Sequence, residues 1–84
     1  MERQKVDSSQ IDSVGYQDGV LEVAFKKKDG VSVYQYPGVP PELHQQMIGA
    51  DSVGKAFHTL IKTAVHEKTG EALYPHKKVE EDEQ

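Results

Sequence analysis

Two tyrosines one residue apart, Tyr34 and Tyr36, and a run of three lysines, Lys26, Lys27 and Lys28, are the side chains of this chain best suited to holding another molecule. Aromatic rings stack on nucleobases, and ammonium groups meet phosphates as point charges. Together they read as the surface of a binder of RNA or single-stranded nucleic acid. A second group is Ser52, Gly54 and Lys55. A helix start with free N–H groups, a capping hydroxyl and a lysine is the beginning of an anion site. The stretch from Gly49 to Ala56 also copies the Gly and Gly-Lys spacing of a phosphate-binding loop. That reading fails, because Ala56 stands where the Mg²⁺-holding Ser or Thr belongs and the preceding element reads as a helix rather than a strand.

The four histidines, His44, His58, His66 and His76, include no i, i+4 pair, and no carboxylate cluster completes a ligand set. No metal is expected. No nucleophile is patterned with a base and an orienting group, so neither an enzyme nor a cofactor is expected. His58 follows Phe57 beside an apolar stripe and is a candidate ligand contact, with a partly exposed structural role as the plainer reading.

Elements must position these groups within 84 residues, enough for one small domain. The chain has no cysteine, no apolar leader and no apolar run near the length of a membrane span, which points to a cytoplasmic protein without a membrane partner. Its net charge is −4, but residues 67–84 hold three lysines against six acids, leaving −1 for residues 1–66. Nucleic-acid modules usually carry a clear basic footprint, and a nearly neutral domain lacks it.

Residues 1–9 are polar and expected to be loose. Ile11, Val14 and Tyr16 read as a first strand with imperfect alternation, and Gly15 as a bulge. Asp18-Gly19 is a hairpin turn. Leu21, Val23 and Phe25 alternate with Glu22, Ala24 and Lys26 in a second strand, and Val31 to Tyr36 form the third. Pro40-Pro41 opens a first helix with Leu43 and Met47 inward. Ser52 or Asp51 caps a second, whose Val53, Phe57, Leu60, Ile61 and Ala64 make one apolar face, with Gly70 as its stop. The expected fold is α+β, a three-stranded antiparallel meander followed by two helices packed on one face. Its expected core is Val14, Leu21, Val23, Phe25, Leu43, Met47, Val53, Phe57, Leu60 and Ile61. Residues 67–84 form an acidic tail, expected to be disordered, in which 71–84 have too few apolar residues for a core and read as disordered or loosely docked, so removal of residues 71–84 is expected to leave the fold intact.

The face of the tyrosines depends on one turn. A two-residue Asp29-Gly30 turn pairs Phe25 with Tyr34 and Val23 with Tyr36, placing both rings in the core. A three-residue loop pairs Phe25 with Val33 and moves them to the open face beside Ala24 and Lys26. The turn rule favours the first.

The order Tyr34-Gln35-Tyr36, Val39-Pro40-Pro41-Glu42-Leu43 and Ser52-Val53-Gly54-Lys55-Ala56-Phe57, with Val6-Asp7-Ser8-Ser9-Gln10-Ile11 leading in, resembles the KTSC domain family. That family is named after a C-terminal extension of some lysyl-tRNA synthetases and also occurs alone in bacterial and phage proteins. The resemblance covers about residues 5–66 and implies the fold, with RNA binding as the role suggested for a family whose function is unsettled, and it departs at His58, where the family commonly has asparagine. Two alternatives stand beside it. One is a protein-interaction module, self-associating through sheet edges into a homo-oligomer. The other is a small nucleotide ligand held between Ser52–Lys55 and the tyrosines.

Overall fold

The computed structural model describes residues 2–79. The expected α+β class is present, but the antiparallel sheet has five strands in the order β1-β2-β3-β4-β5 rather than three. They are β1 (Gln4–Lys5), β2 (Ile11–Gln17), β3 (Val20–Lys27), β4 (Gly30–Pro37) and β5 (Lys77–Lys78). Helix α1 spans Pro41–Ile48, and α2 spans Val53–Phe57 and runs into a π-helical turn at His58–Lys62. Among the described residues no helix is long and apolar enough to cross a membrane.

The central meander follows from its turns and its alternation. Asp18 and Gly19 both take positive φ, at 54° and 79°, the twist a two-residue hairpin requires. The imperfect alternation of β2 is a bulge, but it lies between Ile11 and Ser13 and not at Gly15, which pairs regularly with Glu22. The extra residue lets Ile11 and Val14, three apart, share the core face. Leu21, Val23 and Tyr36 join them, and Met47, Val53, Phe57 and Ile61 cover them from the helices. Ile11 and Val39 are fully enclosed although neither stands in a periodic pattern. Tyr16 donates its hydroxyl to the Val39 carbonyl and stacks on His44 at 4.6 Å, fixing α1 to the sheet. Burial holds His44 below the usual histidine pKa.

The opposite face sets a polar network beside the buried Ala24 and Val33. Arg3 donates to Glu22 at 2.7 Å and to Ser13 at 3.1 Å, and Gln35 donates to Glu22 at 2.8 Å. Burial works against the charge of Glu22, yet the bonds from Gln35 and Arg3 and the guanidinium charge prevail and hold its carboxyl below the usual glutamate pKa. Lys5 pairs with Asp12 at 2.9 Å, which lowers the Asp12 carboxyl in the same way. Residues 2–5, expected to be loose, are thus tied to the sheet by β1 and by Arg3.

The segment after the helices is the second correction. The second helix ends at Thr63 rather than Gly70. Val65 bridges to Ala72, Leu73 bonds back to Ala64, and Val79 donates to Val33 at 2.9 Å beyond β5. Tyr74 packs against the core. The acidic run 80–84 lies outside the described residues. Truncation after Gly70 removes β5 and Tyr74 and is therefore expected to lower stability by about 2–3 kcal/mol, the burial of an aromatic side chain. An unchanged melting curve would show that the docked segment contributes nothing.

Candidate functional site

Tyr34 and Tyr36 take the core face, as the two-residue turn requires, but by another pairing. Lys28 and Asp29 form the turn, Lys27 pairs with Gly30, Val23 with Tyr34 and Leu21 with Tyr36. An Asp29-Gly30 turn of the primed type needs positive φ at both residues. Asp29 does not adopt it, while Gly30 takes φ 136° as the first residue of β4. The register slips by two residues, so every side chain keeps its face. The open-face alternative is excluded, and Glu22 and Gln35 occupy the place a stacking platform would need.

The two rings are not equivalent. Tyr36 is buried under Phe57, with ring centroids 5.2 Å apart. Burial, with a smaller contribution from Tyr34, pushes its phenol up to about 12, so it is a neutral structural ring and not a base. Tyr34 is only half-buried. Phe25 meets it edge-on at 5.8 Å, and His76 does the same at 5.2 Å. Phe25, Ser32, Tyr34, Tyr36, Lys62 and His76 line a cleft of about 440 Å³. Lys78 pairs with Tyr34 in register and so shares its face. The cleft thus combines the half-buried Tyr34 ring with the exposed His76 and Lys62.

Sequence reasoning missed three of these contributors. Lys62 reaches the cleft through the π-helical turn. Thr63 bonds to the carbonyl of His58, five residues back, and this wide turn buries Ile61 and leaves Leu60 half-buried. His76 and Lys78 arrive with β5, a two-residue strand that has no periodic signal. The hairpin lysines do not join the tyrosines. Lys26 lies on the opposite face, where it donates to the Ser8 carbonyl at 2.7 Å, Lys27 is at the hairpin end, and Lys28 is in the turn.

Ser52, Gly54 and Lys55 form a separate cleft of about 300 Å³ with the lead-in segment. Ser52 accepts from the Lys55 backbone N–H at 3.2 Å, an ordinary N-cap. Asp7 and Asp51 line the same cleft, which opposes an anion there. Ser8 ties this segment down, accepting from the backbone of Gln10 and Ile11. The nucleotide site expected between Ser52–Lys55 and the tyrosines is therefore not assembled, because the two groups line different clefts. His58 is exposed and lines neither. A methyl at Gly54 would stand 3.4 Å from Ser8 Oγ, an ordinary contact. Gly54→Ala is therefore expected to raise stability by about 0.5–1 kcal/mol through helix propensity, read as a higher Tm. A fall of several degrees would mean that the lead-in segment needs closer approach than this geometry shows.

Among the described residues no cluster of three His, Cys, Asp or Glu side chains is placed to hold a metal. The sequence profile described as KTSC domain matches residues 7–64. An uncharacterised protein of Stutzerimonas stutzeri is 38% identical over 64 residues, which cover 74% of this chain and 86% of that one. The crystal structure of a KTSC domain protein from Yersinia pestis superimposes with a TM-score of 0.72 at 37% identity, covering 94% of this chain and 97% of that one. The meander, the Pro-opened α1 and the Ser52-capped α2 are accordingly those of a family, and this chain belongs to the KTSC domain family.

Proposed function

We propose that this domain is a non-enzymatic binding module for RNA or another single-stranded nucleic acid, and that it works through the Tyr34 cleft. The observation that carries this reading is a cleft that places the half-buried Tyr34 ring beside Lys62 and the exposed His76, with Lys78 opposite Tyr34 on β5. Bases of any identity stack on such a ring, and the lysines supply charge for the phosphate. Glu80, Glu81, Asp82 and Glu83 account for the whole net charge of −4, so residues 2–79 balance, and the cleft is locally basic. The absence of cysteine fits a cytoplasmic setting.

Titration of a labelled single-stranded RNA at low salt tests the proposal. Tyr34→Ala is expected to weaken binding by a stacking contribution of about 1–3 kcal/mol. Lys62→Gln should weaken it and flatten the salt dependence while leaving Tm within about 1 °C, because an exposed lysine contributes little to stability. Full binding by both variants would remove the cleft from the account, and no binding by the wild type would remove the function.

A further inference from the structure

No second ring of the cleft lies parallel to Tyr34, because Phe25 and His76 meet it edge-on at 69° and 75°. Tyr36 is 5% exposed beneath Phe57, and Phe25 is packed edge-on to both Tyr34 and Phe57. Proteins that track along a strand present successive rings for successive bases. The volume of about 440 Å³ is at the small end for ligand pockets and suits one base with its sugar. Lys62 lines the cleft and Lys78 lies opposite Tyr34 on β5, and neither belongs to a stripe of lysines that follows a backbone. The opposite sheet face gives no continuation, since Glu22 and Gln35 occupy its centre.

We infer that the cleft takes a single nucleotide, its base against Tyr34 and its phosphate at Lys62. The inference rests on the nucleic-acid reading above and narrows it to a nucleoside monophosphate group, free or at the end of a strand. The π-helical turn is the positioning device, because its extra residue per turn puts Lys62 at the cleft while Ile61 stays in the core.

The test compares affinities at low salt for a nucleoside, its monophosphate, linear oligonucleotides of increasing length and a circular oligonucleotide. Affinity is expected to stay within about threefold across the linear lengths, with a log–log salt slope of about −0.7, the release expected for one phosphate. The nucleoside and the circle should bind at least about tenfold more weakly than the phosphate-bearing ends, and Lys62→Gln should lose a similar factor with its melting curve unchanged. A monophosphate that matches the linear oligonucleotides assigns the site to the nucleotide itself. Linear oligonucleotides that all bind tighter than the monophosphate by one common factor assign it to strand ends. Affinity that climbs steadily with length, a circle that binds as well as a line, or a slope several times steeper would overturn the single-nucleotide inference and leave strand binding standing. Failure of every ligand to bind would remove both.

Discussion

Phe57→Ala is expected to leave the protein largely unfolded. Phe57 is buried where α2 meets the sheet, with Phe25 edge-on at 5.4 Å and Tyr36 at 5.2 Å. Emptying such a site costs about 3–5 kcal/mol, the lost transfer energy plus the cavity. A domain of this size has little more than that in reserve. The result should be a lost cooperative thermal transition and collapsed NMR dispersion. A transition close to that of the wild type would mean that α2 does not hold the sheet.

Tyr36→Ala should be nearly as damaging, again by about 3–5 kcal/mol, because its ring fills the space between Leu21 and Phe57. Tyr36→Phe keeps the ring and is expected to be tolerated within about 1 kcal/mol. Any loss of ligand binding in the alanine variant would then follow from unfolding. Tyr34→Ala separates from it. Tyr34 is half-buried and sits at the rim, so its removal should spare the folded state and affect binding. A stable Tyr36→Ala protein beside an unfolded Tyr34→Ala protein would invert the roles assigned to the two rings.

The legible parts of the fold were those with a period. The alternation of Leu21, Val23 and Phe25, the Asp18-Gly19 turn and the stripe of Val53, Phe57 and Ile61 each carry a local physical requirement, and the structure meets it. The face of the tyrosines was correct despite a wrong pairing, because a two-residue slip preserves alternation. The missed parts have no period. Strands β1 and β5 have two residues each and are held by long-range pairing. Val39 is enclosed by a loop, and Ile11 by a bulge that looked like faulty alternation. The site was half-legible for the same reason. Tyr34 could be read from its strand, whereas Lys62 depends on a wide helical turn and His76 on a docked tail. The lysine run and the Ser52–Lys55 start drew attention by composition, and the fold places both away from the cleft.

Tyr34, with Lys62 and His76, is the proposed ligand surface. Chemical-shift mapping during titration with a short single-stranded RNA at low salt tests it most directly, residue by residue and without mutation. Saturable shifts are expected at Tyr34, Ser32, Lys62, His76 and Lys78, with Lys26–Lys28 and Ser52–Lys55 unmoved. Shifts centred on the hairpin lysines or on the α2 start, with Tyr34 silent, would contradict it.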